Sequence, residues 1–517
     1  MKFNKTLRAA IGAGLCGIGL WLALSVPYQS HTFLIGAGGC RLVTDIVEPT
    51  GQPAGATPKG YVVLLHGLSA NKRIMSYLTA GFAAQGLRVF VPDLPGNGRT
   101  TGPFSYARSE QCSANLVREL IARGLLDPER TILAGHSLGG ADALRVASHI
   151  PVAGAIAISP APMRPVPGIS PEMLPFHEFG ALPPHSLVMS AAWDSALMRN
   201  GARDLLGNPA DSTSQYVVIP RSTHVSILFD AHAMLSAQNW TAAILHLDPN
   251  PSSPTRRGLL GFLAGFLGIL LLAGPFLRET LQSKKSENPA AEIVATPAKS
   301  RAILEQALVA LASVAILHLW NPLRVLHLFE GDYLASFLLI LGVALLLLRW
   351  NSLRQLFGSR PAENQSRRSV YFPLLISAFA AFLLHFLVTA WIDLTFSEAW
   401  LTAARWARFA PFFLAVLPYH AAEELALGPA SPGNTRRRLF NALLLRFIAW
   451  LAIVAAIFAL HSGEVLLVLL SPYFALCCLL QAWGMKVVRE VTASPAAAAL
   501  FGAILLAGFC LVVFPTT

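Results

Sequence analysis

Apolar positions along this chain follow two regimes. Between residues 60 and 220, short runs rich in β-branched residues recur, each ending in glycine, proline or polar residues: "GYVVLLHGLS" (60–69), "GLRVFVPDLPGNGRT" (86–100), "RTILAGHS" (130–137), "VAGAIAIS" (152–159), "HSLVMSAAWD" (185–194) and "QYVVIP" (215–220). Runs of this length and composition predict buried strands. Helical spacing over 73–85 and 105–124 separates some of them and a helix expected over 225–240 follows the last, so strand and helix alternate. That alternation predicts an α/β domain over 31–250, with a mostly parallel, doubly wound sheet covered by helices on both faces.

The second regime runs from 258 to 514, where apolar stretches lengthen to bilayer size: about 258–277, 302–320, 333–349, 370–392, 409–427, 439–460, 465–484 and 496–514. Residues 7–26 add a further stretch behind Lys2, Lys5 and Arg8. It reads either as a spanning anchor or as a signal peptide, with Ala23 and Ser25 at the small-residue positions of a cleavage site. Both readings export the α/β domain. The expectation is eight or nine spans, an all-α polytopic domain behind the α/β domain.

The chain has 517 residues, is 54% hydrophobic and carries a formal net charge of +11. The basic residues lie between the apolar stretches, as with Arg354, Arg360, Arg367, Arg368 and the run Arg436, Arg437, Arg438. This is the distribution of membrane loops, and it argues against a nucleic-acid partner. With a cytoplasmic N-terminus, the loops at 278–301, 349–369, 428–438 and 485–495 are cytoplasmic and hold most of the loop Lys and Arg. The opposite loops carry Glu330, Asp332, Asp393, Glu398 and Glu464, with Arg324, Arg405 and Arg408 as basic exceptions. The positive-inside rule then places 31–250 outside the cytoplasm, and a bacterial plasma membrane with a periplasmic domain is the expected setting. Two cysteines, Cys40 and Cys112, fall in the α/β region. A disulfide and two free thiols are both open for them.

The chemistry concentrates where strands end. In "TILAGHSLGG" (131–140), Ser137 stands between Gly135 and Gly139 at a strand-to-helix junction, the context a G-x-S-x-G nucleophile elbow requires. A serine nucleophile needs a base, and the base needs an acid to orient it. Asp194 ends the fifth strand and His224 follows the sixth, giving the chain order Ser, Asp, His. His232, His185 and His177 rival His224. His224 leads because it sits on the loop directly after a strand, whereas His232 falls in a helix. Asp204 and Asp211 rival Asp194, which leads on the same strand-end ground. Backbone N–H groups of Leu68 and Leu138 are the expected oxyanion donors. Lys72 reads as a solvated surface lysine.

Taken together, "HGLS", "PDLPGNGRT", "GHSLGG", Asp194 and "STH" resemble the α/β-hydrolase superfamily over about residues 40–245. The resemblance implies an eight-stranded sheet with Ser137, Asp194 and His224 as a triad. The short, proline-rich interval 160–185, where many members insert a cap, leaves room for only a small one.

In the apolar half, His420 and Glu423 share a helix face next to Glu424, and His385 lies mid-span in the preceding stretch. Ionisable groups there are functional candidates, for a metal, a proton relay or a polar substrate group. An interhelical hydrogen-bonded clamp is the preferred reading. The expected protein is thus a membrane-anchored serine esterase or lipase acting through an acyl-enzyme on a small-molecule or lipid acyl ester, with the bilayer as its other partner and with no cofactor or metal. The alternative is a transporter or sensor whose hydrolase-like domain is an outward-facing binding module.

Overall fold

A computed structural model of the chain describes residues 5–25, 28–49, 57–163, 182–206, 213–248, 253–281, 298–353, 367–428 and 435–517. They form two compact units. One comprises Gly19–Leu263, Ile392–Ala399 and Pro515–Thr517, and the other Met1–Ile18, Ala264–Trp391 and Trp400–Phe514.

The first unit is built on eight strands: β1 (Tyr28–Ala37), β2 (Cys40–Pro49), β3 (Tyr61–Leu65), β4 (Arg88–Pro92), β5 (Thr131–His136), β6 (Gly154–Ile158), β7 (Ser186–Ala191) and β8 (Gln215–Ile219). Their order in the sheet is β1-β2-β4-β3-β5-β6-β7-β8. From β4 to β8 all neighbours are parallel, while β1–β2 and β2–β4 are antiparallel. The six predicted strands are β3 to β8. The β1–β2 hairpin comes in addition, turning at Gly38 and Gly39 with φ of 51° and 79°, a left-handed pair that favours glycine.

Alternation along the strands sorts the core into two layers. Val63, Leu65, Leu133, Ala155, Ala157 and Val188 face helices Tyr106–Ala122, Leu138–His149 and Ala196–Asp204. Val62, Leu64, Ile132, Ile156, Leu187 and Met189 face helices Ser76–Ala84 and Ala231–Ile244. Both faces are therefore apolar, and the sheet is buried in the way a parallel sheet requires. Cys40, at the start of β2, is bonded to Cys112 of helix Tyr106–Ala122.

The second unit is helical. Among the described residues, seven helices are long and apolar enough to cross a membrane: Thr6–Leu24, Arg257–Leu281, Lys299–Leu319, Gly331–Leu348, Tyr371–Thr395, Arg436–Ala459 and Pro495–Val513. This fits a multi-pass membrane protein, and two further stretches expected to span are helical but less apolar. Phe409–Leu427 is a helix that falls short because Pro411, Pro418, His420, Glu423 and Glu424 dilute its apolar content. The stretch expected at 465–484 is instead split into Val465–Leu469 and Ser471–Thr492, and the longer piece carries Gln481, Lys486, Arg489 and Glu490.

Candidate active site

Ser137 stands at the turn between β5 and helix Leu138–His149 with φ 53° and ψ −115°, a conformation that a non-glycine residue holds only when its surroundings impose it. They do so on both sides. The Ser137 N–H donates to the Ile158 carbonyl at 3.0 Å, and the Ser137 carbonyl accepts from Ala141 at 3.1 Å and from Ala161 at 2.9 Å. A Cβ on Gly135 would overlap the backbone of Gly139, and one on Gly139 would overlap the Leu65 carbonyl. The two glycines are what allow helix and strand to close around the serine.

Ser137, His224 and Asp194 come together. His224 Nε2 lies 3.0 Å from Ser137 Oγ, and His224 Nδ1 lies 3.0 Å from Asp194 Oδ2. Ser137 and Asp194 are each 8% exposed, so the line is shielded from bulk water without being sealed. Burial pushes the Asp194 carboxyl up, but the hydrogen bond and charge of His224, helped by Ser159 and the Ser195 N–H, outweigh it and hold the group below its ordinary value. Asp194 is thus an anion suited to holding Nδ1–H, leaving Nε2 free to accept from the serine.

Among the rivals, His232 is an exposed residue paired with Asp230 at 3.4 Å, and His185 bonds Thr213 at 2.5 Å. Asp204 is exposed beside Arg203. His177 and Asp211 lie outside the described residues, as does most of the interval 160–185. Leu138 opens the helix after the nucleophile, and Leu68 lies on the loop after β3, at the carboxyl ends of adjacent parallel strands.

Two histidines that carried no role in the sequence frame this site. His136 Nε2 donates to the His224 carbonyl at 2.7 Å, with the rings 4.8 Å apart, and so fixes the backbone of His224. His66 accepts the Leu94 N–H on Nε2 at 2.9 Å and donates from Nδ1 to the Gly67 carbonyl at 2.7 Å, tying down the loop that carries Leu68. Burial lowers the pKa of His136 to about 3 and of His66 to about 4, so both stay neutral near pH 7. Their signal was position: one precedes the serine, and the other ends the first core strand.

Lys72 corrects its expectation. It is 3% exposed and pairs with Asp93 at 3.3 Å and with Glu398. A lysine two residues into a polar loop looks solvated in sequence, and only the fold brings carboxylates to it.

In the helical unit, Arg446 grips both oxygens of Glu423 at 2.8 Å. His420 Nδ1 lies 3.4 Å from Glu423, and Gln481 donates to His420 Nε2 at 3.0 Å. Glu424 is held by Arg438 at 2.5 Å. His385 contacts Thr389, Phe386 and Phe509 instead. Among the described residues no cluster of His, Cys, Asp and Glu is suited to a metal. Glu423 and Glu424 are each answered by a guanidinium, which is the chemistry of a clamp between helices.

The first unit has the strand order, the elbow and the strand-end polar line of an α/β hydrolase. Residues 62–314 match the model of the Alpha/beta hydrolase family, and the sheet unit has an α/β-hydrolase fold. A monoacylglycerol lipase of Mycolicibacterium smegmatis is 31% identical over 119 residues, which cover 23% of this chain and 40% of that protein. An uncharacterised protein of Mycobacterium bovis is 36% identical over 123 residues, covering 22% of this chain and 34% of that one. The chain thus spans less than half the length of these relatives. Among solved structures, a thermophilic esterase from Thermogutta terrifontis aligns at 17% identity and TM-score 0.32, covering 42% of this chain and 99% of that one. A hyperthermophilic esterase from Pyrobaculum calidifontis aligns at 15% and 0.35, covering 48% and 94%.

Proposed function

We propose that this protein is a membrane-anchored serine hydrolase that cleaves acyl esters outside the cytoplasm through an acyl-enzyme on Ser137. The observation that carries the reading is the continuous line of hydrogen bonds, 3.0 Å and 3.0 Å, from Ser137 through His224 to Asp194. Ser137 Oγ attacks the ester carbonyl carbon while its proton passes to His224 Nε2. The tetrahedral oxyanion is held by the N–H groups of Leu68 and Leu138. Collapse breaks the bond to the alcohol, which leaves with the proton from His224. Water then repeats the sequence on the acyl-serine and releases the acid. Asp194 keeps the imidazole in the required tautomer throughout. A lipid-derived acyl ester is the favoured substrate class, because the aligned Mycolicibacterium relative is a monoacylglycerol lipase and because the spanning helices hold the domain at a bilayer.

The test is labelling of membranes by a fluorescent fluorophosphonate. Wild type becomes labelled, whereas Ser137→Ala and His224→Ala do not, and turnover of short acyl esters falls about 10⁶-fold in either variant. Undiminished ester hydrolysis by Ser137→Ala would overturn the proposal.

A further inference from the structure

Residues Ile392–Ala399 belong to the sheet unit, although their neighbours in sequence do not. They turn the chain at the end of helix Arg367–Thr395 and into the loop that leaves it: the Ser397 N–H reaches the Ile392 carbonyl at 2.9 Å, and Asp393 Oδ1 accepts the Ala399 N–H at 3.0 Å. On one side this turn meets the loop that carries Leu68. Asn71, three residues beyond Leu68, uses both ends of its amide on the turn. Its Nδ2 donates to Ser397 Oγ at 2.7 Å and to the Glu398 carbonyl at 3.3 Å, while its Oδ1 accepts the Glu398 N–H at 3.2 Å. Asn71 thus reads the backbone of Glu398 as a neighbouring strand would.

Its own Oδ1 also accepts the Arg73 N–H, and Arg73 donates to the Asp393 carbonyl. Lys72 joins Glu398 to Asp93, and Arg99 spans Glu398 at 3.3 Å and Asp393 at 3.2 Å. Asp93 in turn accepts the N–H groups of Lys72 and Arg99, each at 2.9 Å.

On its other side the turn meets the segment after the base. Phe396 stacks on Phe229, five residues past His224, at 5.9 Å, and on Phe262 at 4.5 Å. One short segment therefore touches the loop bearing an oxyanion donor and the turn that comes after His224.

We infer that Ile392–Ala399 is a working part of the hydrolase site, with Glu398 and Ser397 as positioning residues that hold the Leu68 loop in its oxyanion-binding geometry. The inference rests on the serine-hydrolase reading. Glu398 is buried, and its surroundings carry charges of both signs in Lys72, Arg99, Asp93 and Asp393. Burial, reinforced by Asp93 against the pull of Lys72, raises its pKa to about 7. Removing it leaves Lys72 and Arg99 without their shared acceptor, and the loop loses the anchor four residues from Leu68. Oxyanion donors act on the transition state rather than on bound substrate, and displacement by about 1 Å costs up to about 10²-fold in rate. The signature is therefore in kcat.

The experiment uses the full chain in detergent with p-nitrophenyl butyrate, and counts active sites by saturating fluorophosphonate label. In Glu398→Ala, kcat per labelled serine should fall about 10- to 100-fold with KM within about threefold of wild type, and the labelling rate should fall in parallel. Glu398→Gln should recover part of the loss, since it keeps an acceptor for Lys72. Ser397→Ala, which removes one hydrogen bond, should lose a few-fold and decides the matter if Glu398→Ala does not fold. A structural role alone would lower the number of labelled serines and leave kcat per serine unchanged, and that result overturns the inference. Wild type that takes no label would instead sink the serine-hydrolase reading itself.

Discussion

The Cys40–Cys112 bond closes 72 residues of chain, from the start of β2 to the middle of the helix Tyr106–Ala122. Loop-closure entropy for a cross-link of that span comes to about 4 kcal/mol at 25 °C. Both cysteines are buried, so replacing them by alanine fills their places with a smaller apolar side chain and exposes no polar atom. With a urea dependence of about 2 kcal/mol per molar for a domain of this kind, Cys40→Ala/Cys112→Ala should lower the unfolding midpoint by roughly 2 M. The assay is a urea series on the full chain in detergent, followed by the fraction of Ser137 still labelled by fluorophosphonate. Dithiothreitol should move wild type toward the variant and leave the variant unmoved. A variant midpoint equal to wild type, with two thiols titrating in the unreduced protein, would refute the reasoning and with it the oxidising setting that the bond implies.

Two further outcomes come from buried charges. Asp142 is fully buried beside the nucleophile helix's contact with Ser109, near Glu110 and Arg145, and burial raises its pKa to about 7. Its folded value exceeds its unfolded one, so stability is fullest below about pH 4 and is lost as pH rises toward 7, by up to on the order of 4 kcal/mol. Asp142→Asn should match wild type in urea midpoint near about pH 4.5 and exceed it increasingly up to about pH 8; parallel curves would reject this. In the helical unit, Arg446→Met strips Glu423 of its bidentate partner and should cost about 3–5 kcal/mol, seen as a lower melting temperature in detergent. Glu423→Gln with Arg446→Met should restore most of it, and a double variant no better than the single would count against the clamp.

Local signals in the sequence carried the core of the fold. β3 to β8 appear as β-branched runs because parallel strands buried on both faces must be apolar throughout, and Ser137, Asp194 and His224, which the fold brings within hydrogen-bond distance, stand where those runs stop. The β1–β2 hairpin had a local signal too, Gly38-Gly39 between apolar residues. Its strands, however, lie at the sheet edge with Phe33 and Leu34 exposed, which blurs the alternation. The partners of Lys72 had no such signal. Asn71 and Ser397 are 326 positions apart, and neither "SANK" nor "FSEAW" differs from an ordinary polar loop. Two of the expected spans are less apolar for a third reason: Phe409–Leu427 and Ser471–Thr492 bury charged groups against one another, as a lone lipid-facing helix does not.

Ile392–Ala399 also bears on the order in which this protein is made. Once residue 263 has been synthesised, every strand and covering helix of the sheet unit exists, yet Ile392–Ala399 begins 129 residues further on and Pro515–Thr517 follows later still. At elongation speeds of about 5–20 residues per second the wait is on the order of ten seconds, far longer than a hairpin or helix needs to form. Throughout it the faces of Asn71, Lys72 and Phe229 lack the turn that covers them. The nascent domain therefore has to stand with that seam open while helices Arg257–Leu281, Lys299–Leu319, Gly331–Leu348 and Arg367–Thr395 emerge, and the seam closes only when Ile392–Ala399 arrives. The ester cleavage proposed for Ser137 is then timed by biogenesis, because its site stays unfinished until Ile392–Ala399 is made.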